Sequence, residues 1–197
     1  MIFVGNEPQI SFFLIAVAVF FAFAFAFLII PLFLRQQKKK LLPLAQQIGG
    51  EVIASLFKGV YLLFPYQEAE ARVVLRTGGQ NSPPRTILEL NRSAGFHLSI
   101  TKENPLTRAL ERLGLSEIKV GDPEFDRKYY LYTKDKTQAI NLLSDPKKRA
   151  LIDQLFKAGF EQVQMDEQKI WCSKIGHTLE ADFIRQNFEK LYKLSQM

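Results

Sequence analysis

From Pro8 to Leu34 the chain runs for 27 residues without a charge, and from Ile10 onward only Ser11 and Pro31 interrupt strongly apolar side chains. No Lys or Arg precedes Arg35, yet Arg35, Lys38, Lys39 and Lys40 follow within six residues. Inside the run, FFAFAFAF alternates Phe with Ala, a period of two that in isolation suggests a strand. Length and solvent overrule it. As a helix the run is about 40 Å long, against a hydrocarbon core of roughly 30 Å. A lone strand in lipid would leave its backbone groups unpaired, and a single segment cannot close a barrel. The expectation is one transmembrane helix over residues 10–34.

On such a helix Ala18, Ala22 and Ala26 stack four apart into a ridge of small residues, which lets a second helix approach closely. The competing reading is that Ala is ordinary membrane filler and the Phe rows face lipid. A cleaved signal peptide does not fit, because the N-terminus carries no cation and LIIPLFLR offers no small-residue cleavage site. The cations Arg35, Lys38, Lys39 and Lys40 set orientation by the positive-inside bias, with the N-terminus outside and the rest cytoplasmic. The same four can attract anionic lipid headgroups. The chain thus divides into a short outer segment (1–9), the span (10–34), a basic juxtamembrane segment (35–49) and a cytoplasmic domain (50–197).

Charge argues against nucleic acid as a partner. From Arg35 onward there are 26 basic and 19 acidic residues, a balance of 26 − 19 = +7, and the four border cations account for most of it. What remains is a mixed surface without a basic stripe. Cys172 is alone in the sequence, so no intrachain disulfide forms, in keeping with a reducing compartment.

The domain begins with LLPLAQQIGG, which reads as a short helix on the membrane surface, interrupted by Pro43 and ended at Gly49-Gly50. Short runs rich in β-branched and aromatic residues follow: EVIASLF, GVYLLFPY, ARVVLRT, RTILELN and HLSITKE. Turn formers separate them, above all GGQNSPP. The second half mixes element types. Asn104-Pro105 opens a helix that stops at Gly114, and Asp145-Pro146 opens another that ends at Gly159. KYYLYTK reads as a strand and EQVQMDEQKIWCSK as a hairpin. Leu179, Phe183, Phe188 and Leu191 recur at helical spacing toward the C-terminus. The fold class is α+β: a mostly antiparallel sheet of five to eight strands with helices on one face. A pleckstrin-homology-like barrel is the alternative.

GDPEFDRKYY is the most distinctive stretch of the domain. An EF-hand loop starting at Asp122 would need Gly at its sixth position and Glu at its twelfth, where Arg127 and Thr133 stand. A structural role fits better, with Asp122-Pro123 turning the chain, Phe125 in the core, and Asp126 bonded to a cation or backbone N–H. The span IKVGDPEFDRKYYLYTKD, followed by LLSDPKKRALIDQLF and KIWCSK, resembles a group of bacterial membrane-associated proteins of unknown function that carry G-D-x-x-F-D-x-x-[FY]. The resemblance implies a bacterial source, which with the expected span makes the membrane the bacterial inner membrane, and marks Gly121, Asp122, Phe125, Asp126 and Tyr129 as a structural motif. It carries over no catalytic residue.

No nucleophile elbow, phosphate loop, dinucleotide fingerprint or zinc-protease motif occurs, and His97 and His177 are the two histidines. Cys172 beside His177 is two ligands, too few for a metal site, and Cys172 in a strand reads as a buried apolar residue. Tyr129, Tyr130 and Tyr132 read as a strand rather than a base-stacking platform. No cofactor is expected. The expected function is that of a non-catalytic accessory or assembly subunit of a membrane complex. It would bind other subunits or a second copy through the helix and the domain. A membrane-tethered enzyme and a lipid-headgroup module are the alternatives.

Overall fold

The computed structural model describes residues 7–55, 59–79, 82–103 and 118–196; within the first helix it describes the side chains of 15–20 and 30–48 only. The element that organises the rest is that first helix, α1, which runs unbroken from Glu7 to Ile48. Its 42 residues extend for about 63 Å. The expected interruption at Pro43 does not occur. Proline costs a helix one hydrogen bond and crowds the preceding turn, but Leu41, Leu44 and Ala45 on either side of it are buried against the domain. Packing of that face holds the helix through the proline. Residues 41–48 therefore belong to the core rather than to a separate helix on a membrane surface.

Eight strands follow α1: β1 (Glu51–Ser55), β2 (Gly59–Tyr66), β3 (Ala69–Arg76), β4 (Arg85–Asn91), β5 (Leu98–Lys102), β6 (Tyr129–Thr133), β7 (Gln162–Met165) and β8 (Ile170–Ile175). They form one sheet in the order β1-β2-β3-β4-β8-β7-β5-β6, and every pairing is antiparallel. The β7–β8 hairpin, turning at residues 166–169, inserts between β4 and β5. The sheet is open, with β1 and β6 at opposite edges, so the barrel alternative is not the one adopted.

The register shows how the pattern of side chains became two faces. Val52, Leu62, Val73, Leu88, Cys172, Val163, Ile100 and Leu131 are successive partners across the eight strands, and all are buried. Shifting any strand by one residue would expose its member of that row. The opposite face carries Leu63, Arg72, Glu89, Trp171, Gln164, Ser99 and Tyr132 in register, each half-buried. It is half solvated and mixed in chemistry, as one face of an antiparallel sheet commonly is.

The described helices all contribute to the single cluster on the first face: α1, α2 (Pro123–Lys128), α3 (Lys136–Ser144), α4 (Pro146–Lys157) and α5 (Ala181–Ser195). Phe188 of α5 is fully buried, its ring 5.2 Å from Phe64 and 5.7 Å from Tyr66. Asp145 accepts from the Lys147 N–H and opens α4, as its sequence signature requires. The helix expected after Asn104-Pro105 lies outside the described residues, and so does the middle of the GGQNSPP loop.

Between α1 and β1 the link Gly49-Gly50 is pressed against β2. Gly50 has φ +131°, and a Cβ there would stand 2.4 Å from the Leu63 carbonyl oxygen. Only glycine lets helix and sheet join this closely.

Candidate functional site

Two arrangements stand out: the seam where α1 enters the domain, and the GDPEFD stretch. In the seam, Leu34, Gln37, Leu41, Leu44, Ala45 and Ile48 fall on one side of the helix at three- and four-residue spacing and face the sheet. Arg35, Lys38, Lys39 and Lys40 occupy the remaining sides, and all are exposed. The four cations thus stand on the exposed sides of a helix whose remaining side is sunk in protein. At the other end of the seam, the Arg185 guanidinium donates to the Gln47 carbonyl at 2.6 Å. A cation supplied from α5 thereby meets the free carbonyls at the C-terminus of α1.

Of the proposed alanine ridge, Ala18 is exposed; the side chains of Ala22 and Ala26 lie outside the described residues. Among the described residues no helical stretch is both long enough and apolar enough to cross a membrane. Most of the expected span, from 10 to 34, has side chains that fall outside them.

In the second arrangement every member of the motif has a partner. Gly121 takes φ +83°, the left-handed region open to glycine. Asp122 caps α2, its Oδ1 accepting from the N–H of Glu124 and of Phe125 at 3.1 Å each. Its Oδ2 lies 3.1 Å from Arg149 Nε. Asp126 turns back and accepts from the N–H of Val120 (2.9 Å) and Gly121 (3.0 Å). Phe125 is buried, its ring 4.8 Å from that of Tyr129, which lies 4.6 Å from Phe156. The Tyr129 hydroxyl donates to Asp153 Oδ1 at 2.8 Å.

Arg149 and Asp153 are the two residues that the sequence did not single out. Arg149 also donates to the carbonyls of Leu143 (2.5 Å) and Ser144 (3.0 Å), so one guanidinium closes the C-terminus of α3 and binds the cap of α2. Asp153 joins Tyr129 to Lys157 at 2.6 Å. Both lie on α4, four residues apart and therefore on one side of it. That spacing was the available signal.

The electrostatics match a structural clasp. Hydrogen bonds from backbone N–H groups, that of Phe125 first, hold Asp122 below the usual carboxylate range. The Lys157 hydrogen bond, then those of Tyr129 and the Lys128 charge, do the same for Asp153. Burial raises Tyr129, and its bond to Asp153 adds to the shift. A carboxylate lowered by folding adds stability above its unfolded pKa, near 3.9 for Asp, and loses it as pH falls through the lower folded value. The melting temperature is therefore expected to hold from pH 7 to about pH 5 and to fall below about pH 4. Asp153→Asn should make that fall shallower; an unchanged acid slope would remove Asp153 from the account.

The carboxylates that could have suggested calcium are all engaged: Asp122 and Asp126 as above, Glu124 by Lys128 at 2.6 Å. Among the described residues no group of three or more His, Cys, Asp or Glu side chains is placed to hold a metal. Cys172 is fully buried on the core face of β8, and burial raises its thiol pKa far above the ordinary value. His177 lies past the end of that strand with Nε2 3.3 Å from the Arg76 carbonyl oxygen. Along β6, Tyr129 and Leu131 face the core while Tyr130 and Tyr132 face away, though Tyr130 is buried as well.

An open antiparallel sheet covered on one side by helices, with a long helix leading into it, defines an α+β class found among solved proteins. The fold is similar to that of the mycobacterial trehalose monomycolate transport factor A, with a TM-score of 0.54 and 11% identity. The match covers 83% of this chain and 94% of that one. At that identity the likeness is one of fold. No protein-family model matches the chain, and no curated protein does.

Proposed function

We propose that this chain is a single-pass membrane protein of the bacterial inner membrane, whose cytoplasmic α+β domain serves as a non-catalytic accessory or assembly subunit of a membrane complex. The observation that carries this reading is the continuity of α1. The charge-free run and the residues buried in the core belong to one unbroken helix. A partner gripping either part would therefore be held by both. The apolar length of residues 10–34 and the one-sided cations support the span. The likeness in fold to a protein described as a transport factor is compatible with an accessory role.

Topology tests the first half. A reporter active only outside the cytoplasm is expected to be silent when fused after Met197, and a cytoplasmic reporter to be active. The reverse pattern would overturn the orientation. Changing Lys38, Lys39 and Lys40 to Glu should weaken it, because the cations holding that flank inside are gone.

Helix association tests the second half. Ala22→Leu should reduce co-purification of a stoichiometric membrane partner in mild detergent and leave insertion unchanged, since Leu is as apolar as the lipid tails. Phe23→Leu, on a different side, is the control. Equal behaviour of the two variants would remove the alanine ridge from the proposal.

A further inference from the structure

The two ends of the sheet differ in charge, and α1 fixes which end is which. A Cβ at Gly50 would touch Leu63 and Phe64 toward one end of β2, whereas Phe33, Leu34 and Gln37 share a cavity with Gly59 and Arg76 at the other. The Gly59 end is therefore the one from which the charge-free run departs. The ends of β3, β4 and β8 meet there. The Gly176 N–H donates to the Pro84 carbonyl at 2.8 Å, and His177 Nε2 lies 3.3 Å from the Arg76 carbonyl oxygen.

In sequence, the stretches 52–62, 73–88 and 172–179 that lead into this end hold Lys58, Arg76, Arg85 and Lys174 and neither Asp nor Glu. The opposite end carries exposed Glu51, Glu68 and Glu167. Its cations Arg92 and Lys169 are paired, with Glu68 at 3.8 Å and Glu89 at 3.0 Å.

The register gives the basic end a definite arrangement. Arg76 pairs with Arg85, and Arg85 with Ile175, so the three stand side by side on the sheet face opposite the helices. Like charges directly opposite each other on neighbouring strands repel. Arg85 is relieved by Glu161 at 3.2 Å and donates to Ser173 at 3.3 Å. Arg76 is exposed and, among the described residues, its guanidinium has neither an ion pair nor a hydrogen bond. A cation held beside another cation, with no acid of its own, calls for an anion from outside the chain. Next in the row Ile175 is 44% exposed. An aliphatic side chain standing among cations matches the border of an anionic bilayer, where headgroup charge and hydrocarbon lie side by side, better than it matches nucleic acid or an acidic protein.

We propose that the Gly59 end of the sheet is a second membrane-contact surface, seated on the headgroups of an anionic bilayer. Arg76 meets lipid phosphate, with Arg85 beside it, and Ile175 reaches the level where the acyl chains begin. The position of the bilayer rests on the membrane-spanning reading of residues 10–34; the residues of the contact rest on register and charge. Arg35, Lys38, Lys39 and Lys40 attract the same lipids around the helix, whereas this surface would set how the domain leans on them.

The test uses the full chain carrying one bimane label, in nanodiscs of phosphatidylcholine alone or mixed with phosphatidylglycerol. Cys172 is fully buried, so a cysteine placed at the surface takes the label. Ile175→Cys reports the contact end and Glu167→Cys the opposite end. Quenching by lipids with a nitroxide near the headgroup is read for each. In phosphatidylglycerol discs the label at 175 is expected to be quenched roughly three-fold more than the label at 167. Most of that excess should vanish in phosphatidylcholine discs, or in about 1 M salt, where the screening length is about 3 Å. Arg76→Glu in the same labelled chain should bring the two labels level. It should leave the melting temperature unchanged or higher, because the cross-strand pair with Arg85 becomes attractive.

Equal quenching of the two labels in phosphatidylglycerol discs would overturn the proposal. So would quenching at 175 that survives Arg76→Glu and is lost on changing Lys38, Lys39 and Lys40 to Gln, because the helix cations would then suffice. A label at 175 that native membranes shield from aqueous iodide, but that lipid does not quench, would assign the surface to a protein and overturn the lipid contact. Carbonate extraction reports the span separately. A chain stripped by carbonate that keeps Arg76-dependent quenching fails the span alone; a chain that resists carbonate with both labels alike fails the sheet end alone.

Discussion

Leu44→Asp is expected to release α1 from the sheet at a cost on the order of 4–5 kcal/mol, because it removes a buried apolar side chain and leaves a charge without a partner. Leu44 is 1% exposed and lies in the same cluster as Leu41, Val52 and Leu62. The cluster around it is apolar, so the new carboxylate would either stay desolvated or pull the helix away. Hydrogen exchange of the full chain in detergent is the direct reading. Amides of β1 and β2 should lose protection, since those are the strands under the helix. Leu42→Asp is the matched control: Leu42 is 41% exposed and points away from the sheet. If the two variants exchange alike, docking of α1 does not hold this end of the domain together.

The second large effect is expected at Phe125. Phe125→Ala should cost about 3–5 kcal/mol, the range for deleting a buried aromatic ring, and should lower the yield of folded protein. The ring is 6% exposed and begins the Phe125–Tyr129–Phe156 stack that joins α2, β6 and α4. Glu124→Ala next door removes only the exposed pair with Lys128 and should cost less than about 1 kcal/mol. Comparable melting temperatures for the two variants would show that GDPEFD is not a keystone of packing.

The sequence carried the fold class because the sheet is patterned on one face. Runs such as GVYLLFPY and ARVVLRT alternate, and their alternate residues became the Leu62 and Val73 row. Asp145-Pro146 was legible for a related reason, since capping is local chemistry that needs no knowledge of the rest of the chain; Asp122-Pro123 reads as a turn in the sequence but caps α2 in the structure. The strand order was not legible. Nothing local indicates that β7–β8 inserts between β4 and β5, and the match of Leu88 to Cys172 is separated by more than eighty residues.

Pro43 misled for a physical reason. A proline breaks a helix only where nothing else holds it, and the grip of Leu41 and Leu44 on the sheet comes from tertiary structure. Gln37 was hidden by its neighbours. In RQQKKK it looks like one more polar residue, but its position three after Leu34 and four before Leu41 places it on the buried side. Helical spacing, applied past the end of the apolar run, would have found it.

The absence of a linker between α1 and the core has a mechanical consequence. A domain on a flexible tether explores a volume set by the tether's length, whereas a domain built around the end of a stiff shaft can only turn with it. Under the proposed span of residues 10–34, the sheet would be held at fixed height and would sweep a ring around the helix axis. Gly49-Gly50 comes after the docked segment and is itself pressed against β2, so it cannot act as a hinge between α1 and the domain. A tilt or rotation imposed on the shaft would be passed to the sheet without slack.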